Sequence, residues 1–348
     1  MSGVQTVTVD EDGHEQRLDR WFKRVFPHIN QGRIEKMCRK GEIRVEGGRV
    51  KASTRLIMGQ SVRVPPLPEA GSQHSNAKFT FISDEQSKMI RDCVIYKDAH
   101  IIAINKPAGL ATQGGTNQTV HVDMLCEALK FDLEAKPKLV HRLDKDTSGV
   151  LLLARSGRAA KGLAKGLQDR ETRKIYWALV AGRLPNKVGT IHYGLLKSAG
   201  HGPNNAGEKM RCIHPKEVDG TEGAKRATTD YAVIETIGTR TTWVGLAPIT
   251  GRTHQLRAHM AEVGCPIIGD GKYGGSGQSN DGEGWGSQIG GDISRKMHLH
   301  ARSIKFTHPV TGQHMMIEAD LPDHMQRSWD MFGWDLKWAP KDPFKIFE

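Results

Sequence analysis

Residues 141–154 read His-Arg-Leu-Asp-Lys-Asp-Thr-Ser-Gly-Val-Leu-Leu-Leu-Ala. The second part of this stretch, Val150 to Ala154, is an uninterrupted apolar run of the kind that forms a buried strand. The first part places the carboxylate of Asp144 between Arg142 and Lys145, at the mouth of that strand. In a strongly basic protein, an acid in this position indicates chemistry on a polyanion.

The charge of the chain is unevenly distributed. Its 348 residues include 50 Lys and Arg against 39 Asp and Glu, a net charge of +11. A chain of this length exceeds what one core usually fills, so we expect at least two domains. Between residues 17 and 44, nine cations face three carboxylates and give this stretch alone a charge of +6. This concentration favours a partner with phosphate charge over a surface tuned only for solubility.

The cysteines argue against a disulfide framework or a zinc site. There are five, at positions 38, 93, 126, 212 and 265, and no two form a Cys-x-x-Cys pair. Residues 1–16 lack the basic and then apolar pattern of a secretion signal, and no apolar run approaches membrane-spanning length. We therefore expect a cytoplasmic protein without a membrane segment or a bound metal.

The basic N-terminal stretch has the pattern of two helices followed by a small sheet. Apolar residues at helical spacing predict a first helix from Leu18 to Val25. A second helix is predicted to begin after the N-cap Asn30 and to end at Gly41. Short strand-like runs follow at residues 43–45, 49–51 and 61–64, with a turn at Gly47-Gly48 joining the first two.

These patterns predict an α+β protein of two domains. A small basic helix-helix-sheet module is followed by a catalytic domain with a mixed, mainly antiparallel sheet. The predicted boundaries are an N-terminal arm at 1–14, the module at 15–66, a Pro- and Gly-containing linker at 67–88, the catalytic domain at 89–330 and a C-terminal tail at 331–348. Strands are predicted at residues 93–96, 101–105, 150–154, 175–180, 231–235 and 242–247.

Two polar, glycine-containing stretches resist regular structure. They are residues 197–229 and 264–291, and the second holds 11 of the 39 glycines. Either stretch could be an RNA-facing loop or a disordered insertion, and for Gly274 to Gly291 disorder is favoured.

Three segments of the N-terminal domain resemble a known RNA-binding module. They are Arg17-Leu-Asp-Arg-Trp, the run from Gly32 to Val45, and Gly59-Gln-Ser-Val-Arg-Val. The module is shared by a small-subunit ribosomal protein, bacterial tyrosyl-tRNA synthetases and several RNA-modifying enzymes. RNA is favoured as its partner, although a basic two-helix unit could also dock an acidic protein. The resemblance makes the following residues RNA-binding candidates: Arg17, Arg33, Lys36, Arg39, Lys40 and Arg44.

Four segments of the second domain resemble the RluA-type pseudouridine synthases, in order along the chain. They are residues 105–110, 141–149, 173–180 and 251–260, continuing to Gly269-Asp270 and Tyr273-Gly274. Residues 299–301 and 306–309 complete the match, and the resemblance covers essentially residues 15–323. Its most specific motif is Arg-Leu-Asp at 142–144. The whole layout is similar to the RluC and RluD branches, which act on large-subunit ribosomal RNA, and slightly favours the former.

This resemblance implies a reaction and a set of catalytic residues. A uridine in RNA is detached from its ribose, rotated and rejoined through carbon, and no cofactor is required. The resemblance makes Asp144 the essential carboxylate, Arg257 its cationic partner and Tyr176 the residue that stacks against the uracil. Strand alternation alone would make Tyr176 a core residue, and Asp144–Arg257 alone could be a structural ion pair. Whether Asp144 bonds the sugar or removes a proton from it stays open.

Two further cations are candidates for RNA contact. Arg142 lies beside the catalytic acid and could fill the stack that an extruded base leaves, or could hold a phosphate. Lys106 lies in the Lys-Pro-Ala-Gly motif. The predicted partner is ribosomal RNA, with no obligate protein partner, and the protein is expected to be a monomer. The alternatives are an RluD-like or transfer-RNA synthase, or a ribosome-assembly factor that has lost catalysis.

Other catalytic classes fit the sequence poorly. Asp146-Thr147-Ser148-Gly149 resembles an aspartic-protease motif, but it follows Lys145 and has no second copy. Ser148 lacks the Gly-x-Ser-x-Gly elbow of a hydrolase. His298-Leu-His300 is the closest histidine pair, and it has no third metal ligand at an obvious spacing.

Overall fold

The computed structural model describes residues 3–68, 82–115, 118–169, 171–198, 209–274 and 293–345. The chain divides into two compact units, residues 1–81 and residues 82–348. Apart from Gly274, the stretch from Gly274 to Gly291 lies outside the described residues, so its predicted disorder stays a prediction. Among the described residues, no helix has both the length and the apolar composition needed to cross a bilayer.

The first unit is a four-stranded antiparallel sheet with two helices. Its elements are β1 (Gln5–Thr8), α1 (Leu18–Val25), α2 (Gln31–Lys40), β2 (Arg44–Val45), β3 (Gly48–Arg49) and β4 (Ser61–Val64), and the strand order is β1-β4-β2-β3. Asn30 caps α2 by accepting a hydrogen bond from the Arg33 amide at 2.9 Å, and Gly41 ends the helix in the left-handed region. The predicted helices and caps are therefore present.

The β2–β3 turn differs in position from the prediction. Its two central residues are Glu46 and Gly47, with φ of 49° and 74°, so the glycine pair at 47–48 is not the turn itself. Two positive φ values in succession are typical of the tight hairpin turn whose twist matches that of the strands it joins.

The first unit extends beyond its predicted limits on both sides. Residues 5–8, predicted to be part of an arm, form β1 and pair with all of β4. Val9 and Leu67, which lie outside the predicted module, are buried in the same apolar core as Trp21 and Phe22. The boundaries at 14/15 and 66/67 are therefore wrong, because the outermost strand and the residue after β4 complete this core.

The second unit is built on a large mixed sheet, as predicted. The strands are β5 (Val94–Lys97), β6 (Ile101–Lys106), β7 (Lys138–Leu139), β8 (Ser148–Ala154), β9 (Arg173–Ala181), β10 (Val188–Ser198), β11 (Lys209–Ile213), β12 (Lys225–Ile237), β13 (Thr241–Pro248), β14 (Leu299–Thr307) and β15 (His314–Glu318). The helices are α3 (Asp84–Asp92), α4 (Val122–Leu125), α5 (Gly157–Gly166), α6 (Gln255–Glu262) and α7 (Asp323–Met331).

The sheet order along its main path is β11-β10-β12-β13-β9-β14-β8-β6-β5, with β15 beside β14 and β7 beside β8. The pairing of β8 with β14 is parallel, while the other described pairings are antiparallel. At this junction Gly149 lies opposite Ala301, and a Cβ on Gly149 would come within 2.3 Å of the Ala301 carbonyl oxygen. Ala301 lies opposite Tyr176 on β9, so the strand that follows Asp144 is held close to the strand that carries Tyr176.

Three sequence expectations for the second unit are wrong. Residues 197–229 contain β11, the end of β10 and the start of β12, because polar, half-exposed strands lack the apolar runs used to predict strands. Residues 84–88 of the predicted linker belong to α3, which buries Ile90. Trp334 and Phe344 of the predicted tail pack in a core with Trp243 and Trp329, so residues 331–345 are part of the domain.

Two buried histidines make the stability of this unit depend on pH. His300 donates to the Ala319 carbonyl and accepts from the Ser148 hydroxyl, and His298 bridges Lys296 and Ser328. Burial lowers the pKa of His298 to about 3 and that of His300 to about 4. Among the described residues, the two rings contact only groups inside the unit, and burial keeps them neutral near pH 7, so this pair serves the fold.

We expect the free energy of unfolding to fall as the pH is lowered from 7.5 to 5.5. Below the ordinary histidine pKa of about 6.5 the unfolded chain takes up protons, whereas the folded chain resists them until the pH nears about 4. Each residue should contribute about 1 kcal/mol of loss. Urea titrations at the two pH values measure it, and His300→Asn should show a smaller pH-dependent difference. Equal stability at both pH values in the wild type would contradict this interpretation.

Candidate active site

The loop that carries Asp144 is held to the sheet at several points. The His141 ring accepts a hydrogen bond from the Leu152 amide at 2.9 Å. The Thr112 hydroxyl bonds the Leu143 carbonyl at 2.7 Å and the Leu143 amide at 3.2 Å. Both the amide and the carbonyl of Leu143 are therefore hydrogen-bonded. Because Asp144 is the next residue, its carboxylate has little freedom to move.

Lys106 is one of these anchors, and the prediction that it contacts RNA is wrong. Its side chain is fully buried, and its ammonium donates to the carbonyls of Pro107, Leu110 and Lys145 at 2.8–3.0 Å. Burial lowers the pKa of Lys106 to about 7, against the opposing charges of Asp146 and Asp144. All three of its donors are used internally, so Lys106 holds the Lys-Pro-Ala-Gly loop against the residue that follows Asp144.

Arg257 joins two carboxylates from different parts of the chain. Its Nη1 donates to Asp144 Oδ2 at 3.1 Å, while Nε and Nη2 donate to the two oxygens of Asp270 at 2.7 and 2.8 Å. The Asp270 side chain is fully buried, whereas that of Asp144 is 27% exposed. Burial opposes the charge on Arg257, but its bonds to Asp270 and then Asp144 raise its pKa above the ordinary value.

The two carboxylates bind Arg257 in different ways. Asp270 satisfies two sides of the guanidinium and accepts from the amides of Lys272 and Tyr273 as well. Asp144 receives the third side, and in the part of the chain that the structure describes its Oδ1 has no hydrogen-bond partner. The predicted pair of Asp144 and Arg257 therefore exists, with one carboxylate oxygen left for a substrate.

Asp270 is the site residue whose role the sequence did not reveal. It lies in the Gly269-Asp270 pair, where Gly269 has φ of 75° and a Cβ would come within 2.1 Å of the Lys296 carbonyl oxygen. The turn brings the acid back under α6. The available signal was that Asp270 follows a glycine and the apolar run at 267–268. Local spacing could not show that its partner is Arg257, 13 residues earlier.

His254 and Tyr273 complete this side of the site. Helix α6 begins at Gln255, and His254 precedes it with φ of 51°. His254 Nε2 lies 3.9 Å from Asp144 Oδ2, and its Nδ1 lies 3.1 Å from the Tyr273 hydroxyl. The Tyr273 ring lies beneath the Arg257 guanidinium, 5.2 Å from ring centroid to Cζ. Tyr273 therefore holds in place both the His254 ring and the Arg257 guanidinium, the two groups that face Asp144.

Tyr176 approaches the acid from the neighbouring strand. Alternation along β9 puts Ile175 and Trp177 in one core and Tyr176 on the other face. Burial, and then the charge of Asp144, raise the pKa of the Tyr176 hydroxyl above its usual value, so it is protonated at neutral pH. Among the described residues this hydroxyl has no hydrogen-bond partner.

The remaining predicted RNA contacts are exposed cations. Arg142 is exposed and lies two residues before Asp144. In the first unit, the α2 cations and Arg44 are exposed, whereas Arg17 binds the buried Asp19 at 2.6 Å. The charge of Arg17 is therefore partly compensated within the unit. The α2 side chains that share this exposed character are Arg33, Lys36, Arg39 and Lys40.

A cavity of about 350 Å³ lies over these groups. Its lining includes Asp144, His254, Arg257, Asp270 and Lys272. The described residues contain no cluster of three or more side chains suited to hold a metal ion. A carboxylate with a free oxygen and a guanidinium meet in this cavity, which suits attack on or deprotonation of a sugar next to a flat base.

Comparison with known proteins identifies the class. The profile of the RNA pseudouridylate synthase family matches residues 100–262, which carry Asp144, Tyr176 and Arg257. Curated relatives are 33–35% identical over about nine-tenths of the chain. The chain belongs to the RluA-type RNA pseudouridine synthase family, as its motifs predicted, and is therefore an isomerase that acts on RNA.

The relatives include ribosomal large subunit pseudouridine synthase C of Rickettsia prowazekii (strain Madrid E), 34% identical over 89% of this chain and 95% of the relative. The protein of the same name from Escherichia coli (strain K12) is 33% identical over 93% and 94% of the two chains. Human RNA pseudouridylate synthase domain containing 4 is similar in structure, with a TM-score of 0.57 at 25% identity over 72% of this chain and 96% of that chain.

Proposed function

We propose that this protein converts specific uridines to pseudouridine in large-subunit ribosomal RNA. The observation that carries the reaction is the contact of Arg257 with Asp144, which leaves one carboxylate oxygen free in a cavity. The target is supported by relatives named as large-subunit synthases, which align along nearly the whole chain. The exposed cations of the first unit would strengthen binding to a structured RNA through its phosphates.

In the proposed mechanism, Asp144 acts on the ribose of an extruded uridine. The free carboxylate oxygen either bonds the anomeric carbon or removes a ribose proton, and the bond to the uracil nitrogen breaks. Arg257 fixes the position of the acid, and the Tyr176 ring supports the uracil while it turns. The uracil then bonds the anomeric carbon through carbon 5, which breaks the bond to Asp144 in the first route and goes with return of the ribose proton in the second. Carbon 5 loses its hydrogen to solvent as a proton, and the uracil nitrogen that left the ribose takes up a proton. The balance requires no oxidant or reductant.

Base mapping tests this proposal. Ribosomal RNA from cells that lack the gene should lose a small set of carbodiimide-dependent reverse-transcription stops in the large-subunit RNA. A plasmid copy should restore the stops, and one encoding Asp144→Asn should not. An unchanged map would instead favour a non-catalytic assembly factor, and stops lost from transfer RNA alone would contradict the ribosomal target.

Replacing Tyr176 with Phe should separate binding from reaction. The ring that stacks on the base remains, so we expect KM for an RNA substrate to change less than threefold. Among the described residues the lost hydroxyl has no hydrogen-bond partner, and its pKa responds to the charge of Asp144, so kcat should fall by about 10²-fold as proton movement at carbon 5 loses its assistance. Multiple-turnover kinetics over a range of RNA concentrations measure both values. An unchanged kcat would limit Tyr176 to stacking.

The first unit is proposed to bind RNA independently of catalysis. Deleting residues 1–81, which form a compact unit of their own, should weaken binding of a long ribosomal fragment and flatten its salt dependence. Conversion of a short stem-loop should persist because Asp144, Tyr176 and Arg257 all lie in the other unit. Loss of conversion on every fragment would show that residues 1–81 build part of the active site.

A further inference from the structure

A second cavity lies on the opposite face of the catalytic sheet from Tyr176. It has a volume of about 290 Å³. Its floor is formed by three neighbouring strands, because Arg173 of β9 pairs with Lys305 of β14 and Lys305 pairs with Met316 of β15. Alternation along β9 puts Arg173 and Ile175 on this face and Tyr176 on the other. The cavity is therefore separate from the site around Asp144.

The lining of this cavity is strongly basic. One carboxylate lines it, Asp342, which lies 3.9 Å from Arg173. The nearby Glu318 on β15 pairs with Arg302 at 3.2 Å and so has its own partner. Against these stand five basic side chains, and all but Arg173 are exposed: Arg173, Lys305, His314, Lys341 and Lys345.

The C-terminal segment is built so that its lysines stay at the rim. Phe344 is fully buried in the tryptophan core of this unit, and the Arg173 guanidinium lies 6.0 Å from its ring centroid. Lys341 and Lys345 flank this anchor, so both ammonium groups are tied to the groove rather than carried on a free tail. The floor also includes Met316, which is 43% exposed and offers apolar contact to a base or ribose.

We propose that this groove binds a single-stranded stretch of the RNA substrate outside the target nucleotide. The proposal rests on the proposed function, since it assumes that the substrate is RNA. Cations around an apolar floor fit the alternation of phosphate and base along such a strand. Arg173 is three residues from Tyr176, about 10 Å along β9. RNA bound in the groove would therefore leave the reacting uridine and pass around the edge of the sheet to its opposite face.

A charge-neutralising variant of the full-length protein tests this groove. The variant carries Lys305→Gln, Lys341→Gln and Lys345→Gln, and a matched control carries Lys88→Gln, Lys97→Gln and Lys161→Gln, which are exposed elsewhere. The probe is a long transcript of large-subunit RNA, titrated at several salt concentrations. Each phosphate contact to single-stranded RNA steepens the slope of log K against log salt by about 0.7. Loss of three such contacts in the groove variant should therefore reduce the steepness of that slope by about 2.

Turnover adds a second measurement. For the long transcript, the groove variant should raise KM at least tenfold and leave kcat at saturation unchanged, and the control should change neither value by more than threefold. Equal effects of the two variants, or no change in slope, would overturn the proposal. Loss of binding to fluorescent polyglutamate without any loss for RNA would also overturn it, in favour of an acidic protein partner. The binding titration needs no catalysis, so a wild type that binds but makes no pseudouridine would refute the proposed function and leave the groove result readable.

Discussion

Asp144→Asn should reduce the rate of pseudouridine formation by about 10⁴-fold or more, which corresponds to ~5.5 kcal/mol of lost transition-state stabilisation. The amide keeps the shape of the side chain but can neither bond the sugar nor take its proton. The measurement is release of tritium from RNA that carries [5-³H]uridine, under single-turnover conditions, because the reaction replaces the hydrogen at carbon 5.

The fold should tolerate this change. Two sides of the Arg257 guanidinium remain bonded to Asp270, and Asp144 is partly exposed, so the variant should lose less than about 2 kcal/mol of stability. Asp92→Asn, which alters an exposed carboxylate paired with Lys88, serves as the control and should retain full activity. An inactive variant that melts like the wild type assigns the loss to chemistry, and an active one contradicts the mechanism.

Asp270→Ala should be the most destabilising single change in the site. It removes the partner from two donors of Arg257, whose side chain is 7% exposed, and frees the turn at residues 269–273. Asp144 still bonds Nη1, but Nε and Nη2 lose their acceptors, and removing one partner from a buried ion pair costs about 3–5 kcal/mol. The free energy of unfolding in urea measures the loss, and activity should fall with it because Arg257 no longer holds a fixed orientation.

A surface pair in the same chain provides the contrast. Asp219 pairs with Arg226, and both side chains are mostly exposed. Asp219→Ala should therefore cost less than about 1 kcal/mol. Similar losses from Asp219→Ala and Asp270→Ala would show that the buried pair is no more than an ordinary ion pair and would remove the argument that Asp270 positions Arg257.

Local patterns predicted the elements that local physics determines. The caps of α2 at Asn30 and Gly41, and the two faces of β9, follow from short-range hydrogen bonding and side-chain alternation. The pairing of Asp144 with Arg257 across 113 residues came from the family resemblance, since no spacing rule connects two such distant positions. The strand after Asp144 was visible because burial on both faces leaves a continuous apolar run.

Features that depend on tertiary context were missed. Lys106 has the composition of a surface residue, yet three carbonyls satisfy its ammonium in the interior. Asp270 gains its role only when a tight turn at Gly269 returns it to α6. The polar strands β10 and β11, and the burial of Phe344, likewise depend on neighbours that are distant in the sequence. Each case is a polar or isolated residue whose partner is supplied by the fold.

A structure of the Asp144→Asn variant bound to a ribosomal RNA stem-loop tests the central claim most directly. The account predicts one uridine turned out of its stack, with its ribose within about 4 Å of the side chain at position 144 and its ring against Tyr176. Arg257 should still contact both position 144 and Asp270. A bound RNA whose extruded uridine lies away from this cavity, or whose ribose is out of reach of position 144, would contradict it.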